Sequence, residues 1–204
     1  MTKFRKSLFA AVLGCLVFTP ARLPTMLAQE PTANSADAKL PLKAVLVLTP
    51  EFCSTVFKQG SIWTTGRDTF EVGKIACIEM EPTLKSAYED LTVASTPPTS
   101  GNAQVVLIPK FANAYATKSV FAFSNRELDV FLEWTIKDAS GKTVWLQTVR
   151  GSSKHHMGNG FTHGRNVKLI ERDAVKNVVI QSSEKMEESP ELRNLVSIQA
   201  SPVK

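Results

Sequence analysis

The stretch LDVFLEWTIKDASGKTVWLQTV, residues 128–149, decides the fold. Leu128, Val130, Leu132, Trp134 and Ile136 alternate with Asp129, Phe131, Glu133, Thr135 and Lys137. A period of two is that of a β-strand with one face turned to a core. Asp138-Ala139-Ser140-Gly141 supplies turn chemistry, and Thr143 to Val149 returns as a second strand. The two make an antiparallel hairpin. Trp134 and Trp145 fall on its facing strands, where cross-strand aromatic contacts stabilise a sheet.

Upstream, Lys43 to Leu48 (KAVLVL) is a short apolar run stopped by Thr49-Pro50. Gln104 to Ile108 (QVVLI) is a second one, stopped by Pro109. Unbroken runs of this length read as strands buried on both faces. Between them, Met80, Leu84, Ala87, Tyr88 and Leu91 follow helical spacing, with Pro82 either opening the helix or kinking it. Residues 54–72, with Ile62, Trp63 and Phe70, are compatible with a short hairpin, and Ala94 to Asn102 reads as a loop. Downstream, Val167, Ile170, Ala174, Val178 and Ser182 trace one face of a long helix ending near Ser189-Pro190. The expected fold class is α/β: one mixed β-sheet with an antiparallel C-terminal hairpin and two main helices packed on it.

The first residues carry an address. Lys3, Arg5 and Lys6 precede a twelve-residue apolar run, Ser7 to Phe18, and Thr19-Pro20-Ala21 offers small residues at a cleavage site. Residues 1–21 therefore read as a signal peptide, and the apolar run is short against the roughly 20 residues that span a bilayer. Val12-Leu13-Gly14-Cys15 loosely matches a lipobox, which makes Cys15 a lipidation candidate. Against it, Leu16-Val17-Phe18 continues the apolar run past the cysteine. Residues 22–42 read as a disordered leader and 43–204 as a single α/β domain.

Cleavage also changes the charge. The 204-residue chain has a formal charge of +5, and residues 1–21 supply three positive charges and no negative one, so the remainder is near 5 − 3 = +2. A general attraction to nucleic acid is not expected. Any electrostatic function is local, and residues 139–170 are where it would be. They hold Lys142, Arg150, Lys154, Arg165, Lys168 and the histidines His155, His156 and His163, without one acidic residue. Gly151 to Arg165 reads as a glycine-rich loop leading into a helix N-terminus, a place where backbone N–H groups meet anions. Arg150, Lys154, His155, His156, His163 and Arg165 are thus the candidate residues for binding an anionic ligand, a lipid headgroup at a membrane surface, or an acidic protein face. The competing reading is a plain solvated connection.

Metal binding fits less well. His155 and His156 are adjacent, so their rings diverge in an extended chain, and Met157 suits copper(I) better than zinc. No metal and no cofactor is expected. Nor is an enzyme: no G-x-S-x-G, Walker loop or H-E-x-x-H occurs. Ser152 or Ser153 near His155 is a common pairing in loops, and Glu79 and Glu81 read as the solvated start of a helix. Phe121, Phe123 and Phe131 either join the core or line a groove for a partner. Cys53 and Cys77 are disulfide candidates if exported, since disulfides persist outside the cytoplasm. They suit buried free thiols equally well, and a hairpin between residues 54 and 72 would carry the chain away from the bond.

The order of these segments resembles a known family. A Lys-Ala-Val-Leu-Val-Leu strand, a long first helix and a Val-Val-Leu-Ile-Pro strand come first. An Asp-Ala-Ser-Gly-Lys-Thr-Val-Trp hairpin and a last helix closing on Ser-Pro-Glu-Leu (189–192) follow. Residues 43–195 are similar in this respect to small bacterial envelope proteins, many of them lipoproteins, with a fold like the N-terminal domain of TolB. YajG-like lipoproteins and accessory subunits of envelope transport systems are among them. The resemblance implies a periplasmic, non-enzymatic role through an envelope protein partner, and it brings no catalytic residues. The alternative is a periplasmic protein binding a small anion or metal through residues 150–168. A contiguous apolar patch favours the first, and a pocket lined by His and Arg favours the second.

Overall fold

The computed structural model describes residues 39–60, 67–98, 102–117, 125–156 and 163–199. The expected signal peptide, Cys15, Trp63, Phe121 and Phe123 lie outside those residues. Within them the chain begins with β1 (Leu40–Val47), so the leader expected to end at residue 42 gives way to strand at Leu40. Leu40 and Leu42 are buried and alternate with exposed Pro41 and Lys43. The apolar run alone hid this, because the first half of the strand buries only one face.

After β1 come a one-turn helix α1 (Pro50–Cys53), a small hairpin β2 (Phe57–Gly60) and β3 (Arg67–Phe70), and α2 (Val72–Ala87). Thr49 caps α1 by accepting the Phe52 N–H at 3.1 Å, with Pro50 in the first turn. α2 continues past Pro82, which is exposed, so the proline does not open the helix. β4 (Tyr88–Ala94) follows without a loop and pairs parallel with β1, Ala44 beside Leu91. Tyr88 and Leu91, expected on the helix, are therefore strand residues.

β5 (Val105–Ala116) lies on the other side of β1, also parallel, with Val45 beside Val106. It does not stop at Pro109. Its pairing with β1 reaches only Leu107, so beyond that point one edge of β5 is free of β1 and a missing N–H is tolerated there. β6 (Asn125–Asp138) and β7 (Thr143–His156) complete the sheet as the long antiparallel hairpin, Trp134 opposite Gln147 and Ile136 opposite Trp145. Gly141, at φ 85°, makes the turn. The sheet order is β4-β1-β5-β6-β7.

Two long helices cover one face. α2 packs with α3 (His163–Glu188), and α3 lies on β6 and β7. Leu42, Leu46, Leu107, Leu128, Leu132, Trp134 and Ile136 from the sheet meet Met80, Leu84, Val175, Val178 and Val179 from the helices. The chain then starts α4 (Pro190–Gln199), unforeseen in the sequence, from a Ser189 whose Oγ accepts the Leu192 N–H at 3.3 Å. Among the described residues no helix is long and apolar enough to cross a membrane.

Cys53 and Cys77 are joined by a disulfide, with Cα atoms 5.7 Å apart. The β2–β3 hairpin exists, yet it does not carry the chain away. The Gly73 N–H donates to the Thr55 carbonyl at 3.1 Å, so the hairpin's two ends return to one place and α2 starts beside α1.

Candidate functional site

β6 reaches back to Asn125, and this changes the basic segment. With Asn125 opposite His156, residues Gly151 to His156 are strand, and α3 has already begun at His163. The expected loop over Gly151–Arg165 is therefore strand up to His156 and helix from His163, and residues 157–162, Met157 among them, lie outside the described residues. The His163 side chain is also outside the description.

Strand alternation divides the candidate residues between two faces. Arg150, Lys154 and His156 point to the face without helices, and His155 points to the helical face. There His155 Nε2 lies 3.0 Å from Asp173 Oδ2 of α3. Arg165 stands exposed in the first turn of α3, which is held to the end of β7 by Asn166 Nδ2 donating to the His156 carbonyl at 3.0 Å. Arg150, Lys154, His155 and Arg165 therefore do not converge on one pocket. Among the described residues no group of three or more His, Cys, Asp or Glu side chains is placed to hold a metal.

Acidic groups absent from this stretch of sequence come from outside it. Arg150 Nε donates to Asp129 Oδ1 at 2.8 Å, and Glu127 Oε1 is 3.5 Å from its Nη2. The hydrogen bond from Asp129 and its charge push the Arg150 pKa upward. Ser152 Oγ donates to Glu127 at 2.9 Å. Lys168 pairs with Glu171 at 3.0 Å and with Glu71 at 3.5 Å. Among the described residues Lys154 and Arg165 make no ion pair.

The helix-free face of the sheet sets Phe131, a groove candidate from the sequence, beside Tyr115, which the sequence reading passed over. Tyr115 of β5 and Phe131 of β6 stack there with ring centroids 5.8 Å apart. Asp129, beside Tyr115 in the register, is only 3% exposed although it lies on the strand's polar face. Arg150 covers it from β7. Tyr115 itself is 44% exposed, and Leu146, further along the same face, is 65% exposed. The aromatic and aliphatic surface is thus set beside a buried carboxylate whose charge is already matched. Alternation in β6 identified this face, and Phe131 in it was the available signal. Tyr115 gave none, because β5 was expected to end at Pro109.

At the other end of this face, the chain between β4 and β5 crosses over β1. It leaves an open cavity of about 380 Å³ lined by Lys43, Val45, Asp90, Thr92, Pro98 and Asn102 among others. Among the described residues no histidine or arginine lines it.

No protein-family model matches the chain, and no curated protein matches it. Solved structures resemble it in outline. A minor lipoprotein from Acinetobacter baumannii shares 10% identity over 74% of this chain and 94% of its own, with a TM-score of 0.48. A Xanthomonas campestris protein of the DUF330 family shares 6% over 76% of this chain and 91% of its own, with a TM-score of 0.49.

Proposed function

We propose that this chain is an exported, non-enzymatic assembly or transport-accessory component of the bacterial envelope, akin to the TolB-like and YajG-like proteins its segment order resembles. In this reading it docks a protein partner on the helix-free face of its sheet. The observation that carries the reading is the exposed Tyr115–Phe131 stack over the neutralised Asp129–Arg150 pair. Exposed aromatics beside matched charge are the usual composition of interface cores, which are poor in unpaired charge. Export agrees with the signal-like residues 1–21 and with the Cys53–Cys77 bond, since such bonds persist in oxidising compartments. Pairing of Arg150, His155 and Lys168 with carboxylates of this chain weighs against an anion or metal site built from residues 150–168.

A photo-crosslinking residue at Tyr115, in the native envelope, tests the proposal. It should capture one defined protein, which a crosslinker at Lys176 on the outer face of α3 does not capture. Equal capture of many proteins from both positions would overturn the reading.

A further inference from the structure

The cavity under the connection between β4 and β5, about 380 Å³, has a floor made by two paired strands. In the parallel β1–β4 register Lys43 lies beside Asp90 and Val45 beside Thr92. Ala44 and Leu91, which alternate with them, are buried on the helical side, so these four side chains stand on the helix-free face. Pro98, Asn102 and Ala103 form the rim where the chain returns to β5. Gln104 ties that return to the floor. Its Oε1 accepts the Lys43 N–H at 2.7 Å, and its own N–H donates to the Lys43 carbonyl at 2.8 Å. The backbone beneath the cavity is thus fixed before anything enters it, and the volume falls within the roughly 300–1,000 Å³ of small-molecule sites.

The charges here differ from those of β7 and α3. Arg150, His155 and Lys168 each meet a carboxylate of this chain. Among the described residues the Lys43 ammonium and the Asp90 carboxylate make no ion pair and no hydrogen bond, with each other or with any other group. The side chains of Thr92 and Asn102 are without a partner as well. A free cation and a free anion therefore open into one cavity from neighbouring strands, whose axes lie about 4.8 Å apart. A ligand that answers both must carry opposite charges at a similarly short spacing. In a free α-amino acid the ammonium and the carboxylate share one carbon, whereas in a peptide they stand at opposite ends of the chain. Val45, Pro98 and Ala103 add apolar wall beside the two charges.

We propose that this cavity binds a free α-amino acid with an apolar side chain, its carboxylate on Lys43 and its ammonium on Asp90. Exposed charges gain little from each other in water, so the ligand displaces solvent and not a strong internal pair. Thr92 and Asn102 supply further hydrogen bonds at the rim. The site goes beyond the proposed docking face at Tyr115 and does not depend on it.

Leucine is the probe, titrated into the protein while the backbone amide signals are followed by NMR. The signals of Lys43–Val45, Asp90–Thr92 and Asn102–Ala103 should shift and saturate below about 10 mM. N-acetyl-leucine lacks the ammonium and leucine amide lacks the carboxylate. Each should bind about tenfold more weakly, the usual effect of losing a hydrogen bond to a charged partner. Two variants assign the ends. With Lys43→Gln the advantage of leucine over leucine amide should vanish, and with Asp90→Asn its advantage over N-acetyl-leucine should vanish. Both residues are exposed, so the melting temperature should stay that of the parent. Equal binding of the free and blocked forms, a preference that survives both substitutions, shifts confined to other residues, or no saturable shift at all would overturn the proposal.

Discussion

The indole nitrogen of Trp134, in the middle of β6, donates to Ser182 Oγ on α3 at 2.8 Å, and Ser182 Oγ donates on to the Val178 carbonyl at 2.6 Å. Both side chains are fully buried, so this chain of bonds lets a polar tryptophan edge sit in the apolar layer between sheet and helix. Ser182→Ala leaves the indole N–H without a partner and should cost about 1–3 kcal/mol. Trp134→Phe removes the donor as well, so the double variant should lose less than the two single losses combined. Urea unfolding of the four proteins measures the coupling, and strict additivity would show that the bond contributes nothing.

The Cys53–Cys77 bond closes a loop whose ends are 24 residues apart in sequence. The chain-entropy relation gives about 3.5 kcal/mol for a loop of this size. Cys53→Ala with Cys77→Ala should therefore unfold at distinctly lower urea than the oxidised parent. Thiol titration of the denatured, unreduced protein lacking residues 1–21, and so lacking Cys15, is the direct check, with none expected per chain. Two free thiols would contradict the bond.

Much of the architecture was legible because β6 and α3 each keep one period throughout. Places where the reading failed have local causes. Tyr88 and Leu91 both face the helices although they are strand residues three apart, because the β1–β4 register shifts between Leu40 and Lys43. That irregularity imitates helical spacing and extended the expected helix into β4. Pro109 imitated a strand end because the sequence cannot show that β1 has already stopped pairing. The surroundings of the candidate basic residues were hidden for a different reason. The partners of their charges, Asp129, Glu127 and Asp173, come from other elements and are joined to them only by folding.

Gly151 stands on the helical face of β7, where α3 passes closest. A Cβ there would lie 2.5 Å from the Ala174 carbonyl oxygen and collide with the backbone N of Val178. Backbone atoms of a buried helix cannot swing aside, so Gly151→Ala must push α3 off the strand. The expected cost is about 1–3 kcal/mol, the usual range for overpacking. Because α3 also supplies Asn166, Asn177 and Asp173, the same variant should speed amide exchange at the end of β7. A loss of stability without that exchange signature would assign the strain elsewhere.

Glu171 of α3 is wholly buried, accepts the backbone N–H of Glu71 at the entry to α2, and lies 3.0 Å from Lys168. Burial raises its pKa, and the Lys168 charge and the Glu71 N–H only partly oppose that, so the net shift is upward. A carboxyl whose folded pKa exceeds its unfolded value holds more protons folded than unfolded between the two values. Its contribution is therefore most favourable below the unfolded pKa, about 4.3, and falls as pH climbs through the folded one. Glu171→Gln keeps an acceptor for Glu71 but no longer titrates. The stability of the parent relative to this variant should decline with rising pH across that window, measured by urea unfolding in matched buffers. A flat difference would mean that Glu171 has no raised pKa.

Tyr115 stacks on Phe131, and the two cover Asp129 together with Arg150. Tyr115→Ser removes the stack and should cost about 0.5–1.5 kcal/mol beyond the lost apolar area. It leaves the Asp129–Arg150 bond and the helical core untouched, so the fold should persist. Binding should suffer far more if this face docks a partner, because exposed aromatics near the centre of an interface carry most of its energy. The measurement is the yield captured by a photo-crosslinker at Glu133, on the same face of β6, with and without the substitution. A yield that falls while amide exchange in the core stays unchanged supports docking on this face. An unchanged yield would remove Tyr115 from the interface and leave the stack as a cover for the Asp129 carboxylate.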